Sequence, residues 1–397
     1  MRILIISAAY GPNAGGVATH VVNLANGLVR WFEDAHVDVL TLRKNGMPYK
    51  KDPKGNLVEW KLDGRNEAEF NGRRVVLGRL IRFALENWHQ LRPDLIHVHD
   101  FDSLQIGISL RTAHSIPLVL TVHRAPTEWW DRRYCEDEKD CFMEVARVHK
   151  LLDQVIVPSM ASRKVLVAQG FRKIQVIPHG VSQHLLDFET DPSILDGLGV
   201  PPDAPVIFCP SRADEHKDLP LFIRGAAALL AHISPTAKRP VFIVACKPEG
   251  GGPEPPEFTE LRAIAGAYRL VEGRDIFFSA PFAYGIPLHT VYRRASVVVV
   301  PSLHESFVQT VLDAFMFGKP VVARARAGLT EIVKNRVTGL LFETPRTLRV
   351  QMERALEDQL LVMQIVQDAK KALGKQHCVE TMVRQYRQLY EKVCTDR

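Results

Sequence analysis

No run of apolar residues among these 397 positions reaches the roughly 18 that a membrane-spanning helix needs, which excludes a helical membrane protein. Cysteine is scarce. Six are present, without a Cys-x-x-Cys pair and with Cys135 and Cys141 the closest two, so neither a disulfide framework nor a zinc ribbon is encoded. Neither G-x-G-x-x-G nor G-x-x-x-x-G-K occurs, which argues against hydride transfer on a dinucleotide fingerprint and against P-loop hydrolysis. Repeats of fixed period and low-complexity tracts are missing too. The apolar segment from Arg2 to Ala9 runs into Tyr-Gly-Pro without a signal-type cleavage site, so the expected location is cytoplasmic. What remains is a chain that is 46% hydrophobic and 24% charged, with a net charge of only +6. Such a balance gives globular structure rather than disorder, and this length exceeds one hydrophobic core.

The basic excess is uneven, with 25 basic against 20 acidic residues up to Gly180 and 26 against 25 beyond it. Much of it lies between Arg43 and Arg92, where Arg73, Arg74, Arg79 and Arg82 interleave with apolar residues at helical spacing. Such a face suits anionic lipid headgroups at the inner side of a membrane, a phosphorylated acceptor, or plain water. Nucleic acid is disfavoured, because no RNA-type aromatic motif accompanies the charge.

Short apolar runs bounded by turn residues alternate with amphipathic stretches throughout, the pattern of parallel α/β sheets. Strands are expected at 2–7, 37–42, 94–99, 117–122, 154–158 and 174–178, then at 205–210, 240–245, 275–280, 296–301, 320–323 and 339–342. That predicts two sheets of about six strands, in domains at 1–180 and 205–374. The stretch 181–204 reads as a linker, rich in proline up to Pro205. A helix-breaking Gly374 sets off a C-terminal helix at 375–397. In open parallel sheets ligands sit beyond the carboxyl ends of the strands, so the chemistry is sought in the loops that follow them.

The first such loop carries Gly15-Gly16 before a helix, a seat for phosphate or sugar, or a tight turn with no ligand. His123 follows the fourth expected strand and could bond a hydroxyl, move a proton, or be structural. Arg124, the aromatic pair Trp129-Trp130 and His20 are acceptor-side candidates. Arg212 and Lys217 share one strand-to-helix loop, where two cations can converge on a diphosphate or simply face water. Glu305 opens a helix expected over 306–317 and Asp313 lies two turns along it, so both acids are expected on one face. The N–H groups of Ser306, Phe307 and Val308 would be free to bind phosphate at that helix start. Asp100-Phe101-Asp102 fits the letters of a metal-binding Asp-x-Asp, but reads as a strand-end cap.

The ordered set of a Gly-Gly loop, His123, Arg212 with Lys217, Glu305-x7-Asp313 and the Gly-Lys-Pro-Val-Val turn at 318–322 resembles the family 4 retaining glycosyltransferases of the GT-B architecture, over essentially the whole chain. The resemblance implies two facing Rossmann-like domains, an N-terminal acceptor domain and a C-terminal donor domain, with the last helix crossing back to the first domain. It implies transfer of a sugar from a UDP-, GDP- or ADP-sugar to a sugar, lipid-linked or small-molecule hydroxyl, with retention and without metal or other cofactor. Arg212 and Lys217 would bind the diphosphate, Glu305 the sugar hydroxyls, Asp313 the ribose. His123 would lie near the reacting sugar and Gly16 near the donor. Asp313 is a methylene shorter than the family's glutamate, and Ser306 and Ala327 replace frequent glycines. An epimerase or phosphorylase of the same architecture, or a silent sugar-nucleotide-binding protein, are the competing expectations.

Overall fold

The computed structural model describes residues 1–8, 15–43, 50–51, 55–63, 72–124, 149–182, 186, 189–211, 213–234, 236–245, 256–279 and 286–396. The chain divides into two compact units, one of residues 1–180 with 378–397 and one of residues 181–377.

The first unit is built on eight strands: β1 (Arg2–Ser7), β2 (His36–Arg43), β3 (Lys50–Lys51), β4 (Leu57–Asp63), β5 (Leu95–His99), β6 (Leu118–Thr121), β7 (Gln154–Val157) and β8 (Ile174–Val176). Their order is β3-β4-β2-β1-β5-β6-β7-β8, parallel except for β3. Because successive side chains point to opposite faces, Leu4 and Ile6 enter one apolar cluster and Ile3 and Ile5 another. Both faces are therefore covered, which is why these strands read as continuous apolar runs rather than alternating ones. Two strands escape the sequence reading. β4 breaks its apolar run with Glu59, Lys61 and Asp63, and β3 is only two residues long, at the sheet edge. Of the basic region, the described Arg79 and Arg82 are exposed on the helix Gly72–Glu86, whose Leu80 and Ala84 enter the core.

The second unit carries β9 (Val206–Pro210), β10 (Val241–Ala245), β11 (Ile276–Ser279), β12 (Val297–Val300), β13 (Val321–Arg324) and β14 (Leu340–Phe342), all parallel, in the order β11-β10-β9-β12-β13-β14. The expected linker is not a free connector. It forms the helix Ser193–Gly197 and buries Val181, Leu195, Val200 and Ala204 in this unit's core. Nor does the chain break at Gly374. The helix Gln359–Gln376 passes through it, at a cost of about 1 kcal/mol for an unconstrained glycine. The interruption comes at His377, after which the Cys378 sulfur accepts the Thr381 N–H at 3.4 Å and starts the helix Val379–Thr395. That last helix belongs to the first unit.

Candidate functional site

In the second unit, the loops after three adjacent strands meet at their carboxyl ends. After β9 the chain makes a tight turn at Glu215–Lys217, and Asp218 takes a left-handed conformation (φ 46°). One carboxylate oxygen of Asp218 accepts the Leu221 N–H, which caps the helix Leu219–His232; the other accepts Arg324 Nη1 at 2.6 Å. Arg324, the last residue of β13, also donates to the Pro301 carbonyl at 3.4 Å. The loop after β12 is tied to the turn by the Leu303 N–H, which donates to the His216 carbonyl at 2.7 Å. So fixed, Lys217 Nζ reaches Glu305 Oε1 at 2.5 Å, and both side chains are largely but not wholly buried. Gly328, with φ 85°, passes against the Glu305 backbone: a Cβ there would stand 1.9 Å from the Glu305 carbonyl oxygen, so no other residue fits.

The helix expected over 306–317 spans only Gln309–Met316, capped by Val308. Glu305, Ser306 and Phe307 therefore lie in the preceding loop, only Val308 of the expected N–H trio Ser306, Phe307 and Val308 sits at the helix start, and the two-turn argument that put Glu305 and Asp313 on one face does not hold. Asp313 is buried, and its carboxylate accepts Gln309 Nε2 at 3.0 Å. Burial pushes its pKa up to about 7, against a smaller lowering by Gln309. The sign follows: the folded chain holds this proton more tightly than the unfolded one, so the contribution to stability is complete below about pH 4 and lost as pH rises through 7. From 3.8 to about 7 the loss is on the order of 4 kcal/mol at most. Asp313→Asn is therefore expected to melt several degrees above the parent chain at pH 8 and near it at pH 4. Equal melting temperatures at pH 8 would show that Asp313 carries no such penalty.

In the first unit five buried histidines come together from four segments: His20 on the helix Gly15–Trp31, His97 and His99 on β5, His123 after β6 and His179 after β8. His123 is the centre of one chain, with Nε2 2.9 Å from His99 Nδ1 and Nδ1 3.0 Å from His179 Nε2. A second chain runs from Tyr390 Oη to His97 Nδ1 (2.7 Å), from His97 Nε2 to Thr121 Oγ1 (2.7 Å), and on through Tyr386 Oη to His20 Nε2 (3.2 and 3.3 Å). Burial favours the neutral form of four of these imidazoles. It lowers His97 to about 3, places His20 and His99 well below the usual range, and lowers His123 against the opposing pull of Asp100. Asp100 indeed caps here, its carboxylate accepting the His123 N–H at 2.8 Å.

Residues 14–184 match the model of Glycosyltransferase Family 4, and residues 192–372 that of Glycosyl transferases group 1. This chain belongs to the family 4 glycosyltransferases of GT-B architecture. It is similar to an uncharacterized glycosyltransferase of Methanocaldococcus jannaschii (25% identical, 98% of each chain covered) and to the D-inositol 3-phosphate glycosyltransferase of Actinosynnema mirum (26%, over 87% of this chain and 86% of the other). Its fold matches sucrose-phosphate synthase from Thermosynechococcus elongatus (TM-score 0.80, 20% identical, all of both chains) and Anabaena HepE solved with UDP and glucose (TM-score 0.75, 18% identical, 98% and 99% covered).

Of the residues singled out in the glycosyltransferase sequence, Lys217 and Glu305 meet directly, while Asp313 bonds Gln309 instead. Gly15 opens its helix and Gly16 is exposed, with open space where a side chain would project. His20 and His123 share the buried cluster, so a sugar hydroxyl reaching the His123 ring would have to displace His99 or His179. Arg124 is exposed. Arg212, Trp129 and Trp130 lie outside the described residues. Sequence reading missed Asp218, Arg324, His97, His99, His179, Tyr386 and Tyr390. Only the alternate histidines of DLIHVH gave a local signal, since polar residues in a run otherwise apolar on both faces must find partners.

Proposed function

We propose that this glycosyltransferase moves a sugar from a nucleoside-diphosphate sugar to an acceptor hydroxyl with retention of anomeric configuration and without a metal ion. The observation that carries the reading is the Lys217–Glu305 pair, with Gly328 against the Glu305 backbone, at the carboxyl ends of β9, β12 and β13. A cation there is positioned to neutralise charge that grows on a departing diphosphate, and a carboxylate beside it to accept sugar hydroxyls. Nucleotide sugars are also what some fold neighbours were solved with, as in HepE with UDP-glucose and the trehalose-6-phosphate enzyme of E. coli with UDP-2-fluoro glucose.

In the proposed step the bond from the anomeric carbon to the phosphate oxygen breaks, and the acceptor oxygen bonds to that carbon from the same face. The acceptor's proton passes to the departing phosphate oxygen. Lys217, with Arg212 in the same loop, stabilises the leaving charge; Asp218 and Arg324 hold the turn that presents Lys217. The acceptor is a sugar, a lipid-linked sugar or a small molecule, and exposed Arg79 and Arg82 supply part of a basic face suited to an anionic membrane surface.

The test is acceptor-dependent release of nucleoside diphosphate across UDP-, GDP- and ADP-sugars. Lys217→Ala is expected to lower kcat/KM by roughly 100- to 1,000-fold, the loss of one charged transition-state contact. Turnover near the parent level would remove Lys217 from the chemistry. Release that needs no acceptor would point to hydrolysis or epimerisation instead.

A further inference from the structure

We propose that His20, His99 and His123 form a site for one divalent transition ion of the zinc class. Among the described residues this is the one group of three whose ligand atoms lie within 4.8 Å of one another. The three side chains come from a helix, a strand end and the loop after a neighbouring strand, and each is at most 4% exposed. A second observation points the same way. His20 Nδ1 is buried and has no hydrogen-bond partner, an expensive state for an imidazole nitrogen unless something else engages it.

The donor set selects the ion. Three neutral imidazoles suit Zn2+, Co2+, Ni2+ or Cu2+, while the absence of any oxygen ligand from the trio disfavours Mg2+ and Ca2+. Burial already holds these rings in the unprotonated form that binds metal. The facing nitrogens His99 Nδ1 and His123 Nε2 are 2.9 Å apart, and tetrahedral ligands at zinc distances are about 3.3 Å apart, so the pair needs to open by only a few tenths of an ångström. The proton they share moves to His99 Nε2, and His20, with a ring nitrogen within 4.8 Å of the other two ligand atoms, closes in to complete the trio.

The groups behind the ligands are also in place. Tyr386 Oη faces His20 Nε2 at 3.3 Å and His179 Nε2 faces His123 Nδ1 at 3.0 Å, so His20 and His123 can each donate the other N–H and be fixed in one tautomer. Asp100, on the His123 backbone, supplies a negative charge nearby. The fourth position is left to water or to His179, whose ring centre is 4.3 Å from that of His20.

The full chain, stripped with a chelator, is titrated with Zn2+ by calorimetry and with Co2+ by visible absorption. One equivalent of each is expected to bind, Co2+ with the strong band of a tetrahedral nitrogen-ligated ion, and Zn2+ to raise Tm by roughly 5 °C. His20→Gln and His99→Gln are expected to weaken binding at least about 100-fold, whereas His232→Gln, an exposed histidine of the other unit, leaves it unchanged. Uptake below stoichiometry, or the weak spectrum of octahedral Co2+, overturns the proposal even where a variant fails to fold. Equal binding by the parent chain and both cluster variants overturns it as well, because the ion then sits elsewhere.

Discussion

A chain ending at His377 is expected to keep a folded second unit and to lose the first. The helix Val379–Thr395 places Val379, Met382, Val383, Tyr386, Leu389, Tyr390 and Val393 in the apolar cluster that also holds Ile3, Ile5, Val21, Leu24 and Leu28. The approach is close: a Cβ on Gly27 would lie 2.6 Å from the Val383 methyl. Truncating one buried aliphatic or aromatic side chain costs about 2–5 kcal/mol, so removing seven at once exceeds the roughly 5–15 kcal/mol that stabilises a whole domain. The loss is compounded by the buried partners of the two tyrosine hydroxyls, since His97, Thr121 and His20 would keep polar atoms facing a missing helix. Amide hydrogen exchange read by mass spectrometry separates the units. Protection is expected to vanish from β1, β5 and β6 and to persist in β9, β12 and β13. Retained protection in β1 would mean that the first unit stands without its last helix.

The second large effect is acid lability confined to the first unit, measured in chelator-treated protein. His20, His97, His99 and His123 all have native pKa values below the usual histidine range, chiefly through burial. The unfolded chain therefore binds protons that the native one refuses. Stability from these groups is complete above about pH 6.5 and is lost as pH falls below it. Each such group contributes a slope of at most about 1.4 kcal/mol per pH unit, so the three held far below the usual range together remove roughly 4 kcal/mol per pH unit, and His123 adds in the same direction. Among the described residues the second unit has no such accumulation. His289, lowered to about 4 by burial, pulls in the same direction, but Asp313 at about 7 pulls in the opposite one. Between pH 7 and 5 the exchange protection of β5 and β6 should therefore collapse while that of β9 and β12 changes little. Parallel loss in both units would count against the histidine cluster as the cause.

Much of the framework is legible in the residues themselves. Twelve strands follow from apolar runs between turn residues, because strands covered on both faces need nothing but apolar side chains. The buried face of the last helix, Val379, Met382, Val383, Tyr386, Leu389, Tyr390 and Val393, repeats at helical spacing. Lys217 and Glu305 stand out because they follow strands, where a parallel sheet exposes its loops. These are patterns of neighbours within a few residues, and neighbouring residues alone create them.

Contacts over long separations were decided by the tertiary structure. β4 pairs with β2 despite its charged residues, and the helix at Gln309 starts late, after a loop in which Leu303 and Glu305 bond to the turn at His216 and Lys217. Lys217 meets Glu305 across 88 positions and Tyr386 meets His20 across 366. Such pairs depend on strand order, since β9 lies beside β12 and β5 beside β6, and no local periodicity encodes that order. The raised pKa of Asp313 and the lowered ones of the histidines have the same origin: desolvation depends on everything packed around a group, and packing exists only once the chain has folded.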